Sequence, residues 1–276
     1  MRDNNINNKK NEKKAQESKL LYPNYINQDQ LEEMRSIPTS VIYSLRQKYG
    51  CFPNLFRQAI WCKILDLTYK KNEYEKLMNN LKFDSNNEKG YNHSENYRIT
   101  RLIHALNESN INYKQIDYIT KIVYPFVIAI DDDIILYEVM NFLLTRVLNK
   151  WIETFPLLPD MDRIISIISN EYPQFYEHIK AINCPTYDWI FPFLKSLFSN
   201  ILKKDDWLIL WDFIISQNQW NFIIDASASA LILYLSPQMI KIFDAGLFID
   251  YTNTIQKVNI RRIIYKIKYL LKKYKY

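Results

Sequence analysis

Only three glycines, Gly50, Gly90 and Gly246, punctuate these 276 residues, and that scarcity constrains the fold more than any other feature. Glycine adopts positive φ without steric cost, so tight hairpins and phosphate-cradling loops depend on it. With three of them the chain cannot write a P-loop or a Rossmann turn, which excludes nucleotide binding by either device. Nor can it turn many hairpins, so its hydrophobic material, 48% of the residues, has to be arranged in helices. No alternating apolar run is long enough to compete as a strand. The expectation is an all-α chain, large enough to bury a core without disulfides or metal.

Helical periodicity begins near Leu31 and is strongest from Ile134 to Phe155. There Leu136, Val139, Met140, Leu143, Leu144, Val147, Leu148 and Trp151 share one stripe, at the i, i+3, i+4, i+7 spacing of a core-facing helix. Asp131-Asp132-Asp133 precedes it, where a carboxylate can cap free N–H groups and suits the helix dipole. A divalent cation is the other use of such a cluster, but no further acids are patterned around it, and capping is the reading preferred. Pro156 and Pro159 stop the stripe. Further helices are expected over Met161–Asn170, Pro173–Ala181, Trp189–Leu202, Asp205–Ser216 and Ile223–Leu235, the last ended by Pro237. Pro53 marks a helix start, and Asp84–Glu95 reads as an exposed loop. Residues 1–30 are polar and read as a disordered tail, leaving lobes over 31–155 and 156–276.

Charge is uneven. The net +6 arises from Tyr251 onward, where eight Lys or Arg stand with no acid and the rest of the chain is slightly acidic. In that segment Ile260, Ile263, Ile264, Ile267, Leu270 and Leu271 form one helical face and the cations mostly the other. A membrane-surface or nucleic-acid helix is one reading. The other, preferred, is a closing helix of the fold with a solvated basic side, so membrane contact is expected to be at most peripheral and nucleic acid is not an expected partner. Three cysteines without ligand spacing and three histidines point to a reduced, cytoplasmic protein with no metal centre and no cofactor.

Two blocks carry a family resemblance. The first is Tyr49-Gly50-x-Phe52-Pro53-x-x-x-Arg57-x-x-Ile60-Trp61-x-x-Ile64-Leu65. The second is Trp189-x-x-Pro192-Phe193-x-x-x-Leu197-Phe198, followed by Leu208-Ile209-Leu210-Trp211-Asp212. In that order they resemble the TBC domain, the two-lobed all-helical module of Rab GTPase-activating proteins. Arg101-Leu-x-x-Ala105-Leu106, Tyr124-Pro125-Phe126-Val127, Tyr137-Glu138-Val139 and Trp151-x-x-x-Phe155-Pro156 look closest to its WD-repeat-bearing branch. That branch is associated with centriolar satellites and the base of the cilium. The resemblance implies a small Rab-family GTPase as partner, with centrosomal or ciliary scaffold proteins beside it. It also implies a buried pair between Arg57 and Asp212, and Trp61, Trp189 and Trp211 in the core.

TBC catalysis uses an Ile-x-x-Asp-x-x-Arg motif, whose arginine stabilises the transferring phosphate, and a Tyr-x-Gln motif, whose glutamine orients the attacking water. Phosphoryl transfer leaves a protein little to supply beyond such positioning and charge. Aligning on neighbouring residues puts Arg101 at the arginine, with Glu95 and Arg98 where Ile and Asp belong. A shifted frame, Glu95-x-x-Arg98, restores an acid but loses the Ile at Asn92. Tyr124-Pro125-Phe126 stands where Tyr-x-Gln would be, and a phenyl ring cannot hydrogen-bond a water. The resemblance therefore implies Arg101 as the catalytic candidate, Tyr124 and Phe126 as partner contacts, and an impaired GAP or scaffold. The alternative is a working GAP that uses Arg101 or Arg98 and the GTPase's own glutamine.

Overall fold

A computed structural model describes residues 28–79, 93–110, 113–114, 116–149, 151, 158–217 and 220–274. Residues 1–27 of the expected tail, most of the loop after Asp84 and the expected lobe boundary at 155/156 lie outside them, whereas Gln28 to Gln30, expected in the tail, open the first helix. The described residues are helical, with no strand among them. In chain order they form α1 (Gln28–Ser36), α2 (Thr39–Tyr49), a 3₁₀ turn (Asn54–Phe56), α3 (Arg57–Ile64), α4 (Lys71–Met78) and α5 (His93–Ser109). There follow α6 (Ile119–Ala129), α7 (Asp133–Phe142), a π turn (Leu143–Val147), α8 (Leu158–Glu171) and α9 (Pro173–Ala181). The chain closes with α10 (Thr186–Lys195), α11 (Lys204–Ile215), α12 (Trp220–Met239), α13 (Ala245–Thr252) and α14 (Ile260–Lys273).

Helix α5 packs on α6 and α7, and α3 bridges from α7 to α11. Helix α12, apolar all round, lies between α8 and α14. It is the one described helix long and apolar enough to cross a membrane, but 72% of Phe222–Met239 is buried in protein, as for the central helix of a core. Its Asp225 is satisfied by Arg163 Nε at 2.6 Å.

Three boundaries depart from the periodic reading. The stripe beginning at Ile134 does not continue as one α-helix: Leu148 N–H donates to Leu143 O five residues back, a π turn that keeps the same residues facing inward. Helix α10 stops at Lys195 although its apolar pattern runs on. Leu197 and Phe198 adopt φ of 47° and 74°, costly for residues with side chains. Trp207 Nε1 holds the turn by donating to Leu197 O at 2.8 Å. Pro237 lies inside α12 rather than ending it. Its missing N–H frees the carbonyl four residues back, and Ser236 Oγ donates to that oxygen, Leu233 O, at 2.8 Å.

The apolar face of α14 is buried in the core, and its sides are tied down. Glu171 at the end of α8 accepts from Lys266 Nζ at 2.6 Å, Lys273 Nζ at 2.7 Å and the Tyr274 hydroxyl at 3.1 Å. Burial alone would raise the Glu171 carboxyl, but these donors hold it below its ordinary value of 4.5. A depressed carboxylate contributes stability that is complete above the unfolded value and is lost as pH falls through the folded one. Glu171→Gln should therefore lower the melting temperature at neutral pH, and that deficit should shrink once the pH drops below 4.5. A deficit independent of pH would mean that the tether is not ionic.

Candidate functional site

The first sequence block closes on the second at one carboxylate. Asp212 on α11 accepts from Arg57 Nε at 3.0 Å, Trp61 Nε1 at 2.9 Å and the Phe52 N–H at 2.8 Å. Arg57 also donates to Phe52 O at 2.9 Å and to Asn54. Burial holds the Asp212 carboxyl above its ordinary value, against the opposing pull of Arg57, Phe52 and Trp61. Such a pair costs heavily to desolvate, and its value lies in fixing one arrangement of α3 against α11.

Phe126 sits directly beside this node. Its ring meets Trp61, Trp207 and Trp211 edge-on at centroid distances of 6.4, 5.0 and 4.8 Å, the geometry that aromatic quadrupoles favour. At 0% exposure the side chain presents no surface, so the expectation that Phe126 touches a partner is corrected: it fills the core. Its position on α6 faces inward, away from any water that a glutamine could orient. Tyr124, two residues earlier on the same helix, is half-buried. A literal Tyr-x-Gln triplet, Tyr113-Lys114-Gln115, precedes α6 and was legible in the sequence. Tyr113 is fully buried, and Gln115 lies outside the described residues.

Arg98 and Arg101 both come from α5, one turn apart, and line an open cleft of about 1390 Å³ between α4, α5 and the α6–α7 junction. Arg98 is fully engaged in holding that junction. Its Nε donates to Asp133 Oδ1 at 2.8 Å, Nη1 to Val127 O at 2.7 Å, and Nη2 to Ile130 O and Asp131 O at 2.6 and 3.1 Å. A cation at a helix C-terminus suits both the free carbonyls and the dipole. Where the resemblance expects an acid on α5 to orient a finger, a cation here grips an acid on α7. Arg101 remains the more accessible of the two. Its guanidinium lies over Tyr97 and Tyr74 at 5.4 and 5.8 Å, near enough for cation–π attraction. It donates to the Tyr97 hydroxyl at 3.3 Å, and its Nε is 4.0 Å from Asp133 Oδ2, too far for a hydrogen bond.

The aspartate cluster divides its work. Asp132 Oδ1 caps α7 through the N–H groups of Ile134 and Ile135 at 2.9 and 3.0 Å, while Asp133 pairs with Arg98. Among the described residues no group of His, Cys, Asp or Glu is arranged to hold a metal. Glu138 does a task that the sequence did not suggest. Buried on α7, it accepts from the backbone of Thr68 at 3.1 Å, Tyr69 at 3.2 Å and Lys70. This holds a turn in which Asp66 and Tyr69 have φ of 53° and 60° and so fixes α4, which carries Tyr74, beside Arg101. An acid inside an apolar stripe was the available signal.

The same arrangement of helices is known. The structure aligns with the Ypt/Rab-GAP domain of Gyp1p at a TM-score of 0.63 and 12% identity, covering 89% of this chain and 92% of that one. It aligns with the Chlamydomonas flagellar RabGAP TBC domain at a TM-score of 0.54 and 15% identity, covering 94% and 90%. The fold is that of a Rab-GAP TBC domain. No family model matches the sequence. By sequence, the chain is 24% identical over 204 residues to TBC1 domain family member 31 of Oryzias latipes. It is 26% identical over 192 residues to the human protein of that name. These relatives and structural neighbours together support assignment of the chain to the TBC family. The alignments cover 71% and 65% of this chain but 19% and 18% of the relatives, so the chain spans about a fifth of their length.

Proposed function

We propose that this domain engages a small Rab-type GTPase through the cleft beside Arg101, as an interaction module without efficient GTPase activation. The fold supports a Rab partner in general, since both structural neighbours are described as Rab-GAP domains. The observation that carries the second half is the fate of the finger candidates. Arg98 is spent on Asp133 and three backbone carbonyls, and Phe126 is sealed among tryptophans. Arg101 alone is left to meet the GTPase, with half-buried Tyr124 on α6 as a second contact. Among the described residues no glutamine lines the cleft. The resemblance extends the proposal to centrosomal or ciliary scaffolds in the cytoplasm, in keeping with the flagellar origin of the Chlamydomonas neighbour.

Arg101 itself favours a second reading. Its partial exposure in an open cleft would suit a working GAP that relies on the GTPase's own glutamine. Single-turnover GTP hydrolysis across a Rab panel separates the two. We expect less than about tenfold stimulation, against the roughly 10³–10⁵ that an intact arginine finger supplies. We also expect little change in rate for Arg101→Ala, with weaker binding. Strong stimulation that disappears in Arg101→Ala would establish the active enzyme instead.

A further inference from the structure

The cations of α14 fall into two stripes with different fates. Arg262, Lys266, Tyr269 and Lys273 follow one another at helical spacing, and two of those cations are consumed by Glu171. The neighbouring stripe is Arg261, Tyr265, Lys268 and Lys272. All four residues are exposed, and among the described residues no acid pairs with the three cations. Tyr265 at its centre is 78% exposed.

This second stripe joins basic residues from the other end of the chain. Arg261 Nε would lie 3.6 Å from a Cβ placed on Gly50, at the end of α2. Arg46 of α2 and Lys268 of α14 stand over the same Phe213 ring, at 5.2 and 6.0 Å. Arg46 Nε is buried without a hydrogen-bond partner. Burial weighs against the Arg46 charge, with Asp212 the first acid that favours it, and a multivalent anion laid along this edge would favour the charges of Arg46 and Lys268 together.

We propose that Arg46, Arg261, Lys268 and Lys272, with Tyr265 between them, form a docking surface for an anionic membrane leaflet. The surface goes beyond the GTPase reading, and none of its residues lines the cleft beside Arg101. Charge complementarity selects the occupant. The stripe is a convex line along one helix, so a planar layer of phosphate and carboxylate headgroups can meet all of it at once. A tyrosine among the cations suits the headgroup level, where an apolar ring with a polar tip is favoured. The apolar face of α14 is committed to the core, so the contact is electrostatic and reversible, with no insertion of the helix.

The test is co-sedimentation of the full chain with vesicles of phosphatidylcholine alone or enriched in phosphatidylserine, at low and at physiological salt. Binding should require the anionic lipid and should fall as salt rises. R261Q/K268Q/K272Q should weaken it by roughly 10²-fold, since each juxtamembrane cation contributes about fivefold. Its melting temperature should change little, because among the described residues none of the three has an acid as partner and the only internal contact given up is that of Lys268 with the Phe213 ring at 6.0 Å. K266Q/K273Q serves as the contrasting variant, losing stability through Glu171 while keeping most of the binding. Equal pelleting with neutral vesicles, undiminished binding by the triple variant, or no binding even at low salt would each overturn the proposal. So would tighter binding to duplex DNA than to anionic vesicles, which would assign the surface to nucleic acid.

Discussion

Asp212→Ala should destabilise the domain by about 3–5 kcal/mol, the cost of removing one partner from a buried ion pair. The substitution strands Arg57, and it also orphans the Trp61 indole N–H and the Phe52 amide, which share the same carboxylate. Total stability for such domains is about 5–15 kcal/mol, so a large part of it would go. In a domain of this size the melting temperature should drop by roughly 6–20 °C. Asp212→Asn keeps one acceptor oxygen and should fall between the two. Arg57→Ala leaves the carboxylate buried and uncompensated and should cost about as much as Asp212→Ala. Chemical denaturation of the three variants checks this, and an Asp212→Ala protein within about 1 kcal/mol of wild type would remove the node from any account of stability.

Phe126→Gln, the substitution that would write Tyr-x-Gln at this place, should damage the fold and leave GTP hydrolysis where it was. An amide placed among Trp61, Trp207 and Trp211 loses the edge-on ring contacts and buries donors and acceptors with no partner in reach. Truncating a buried phenylalanine costs about 3–5 kcal/mol, and an unsatisfied amide adds about 1–3 kcal/mol. Phe126→Leu keeps the site apolar and should cost much less. Denaturant melts of the two, measured beside Rab-stimulated hydrolysis, give the comparison. A stable Phe126→Gln chain that gained activity would show that residue 126 reaches the surface and would restore it as a finger position.

The helices were legible because their signals are local. Pro173 opens α9 where the sequence placed it, and Asp132 caps α7. The Arg57–Asp212 pair, 155 residues apart, was legible only through the resemblance, since nothing in spacing or periodicity links the two. What escaped the sequence were features in which the apolar pattern stays unchanged while the backbone does something else. The π turn at Leu143 and the left-handed pair Leu197–Phe198 keep their stripes intact, so counting apolar positions cannot detect them. Pro237 misled because the partner that excuses it is its own neighbour, Ser236. The candidate site was least legible. A motif frame fixes which residue occupies a place and says nothing about which way it faces: Phe126 points into the core, and Arg98 turns onto the carbonyls of the α6–α7 junction.

The distance along the chain between Arg57 and its acceptor has a consequence for synthesis. A nascent chain that has exposed α1 to α3 holds a cation, an indole N–H and an amide that all await Asp212. At roughly 5–20 residues per second, the ribosome delivers that carboxylate about seven to thirty seconds later. Through that interval the amino-terminal helices lack the group that would lock them, and the apolar faces they carry stay open to chaperones. The chain is therefore committed to its fold late, once α11 has cleared the exit tunnel, and a stall before that point would leave a product recognisable to quality control as unfinished.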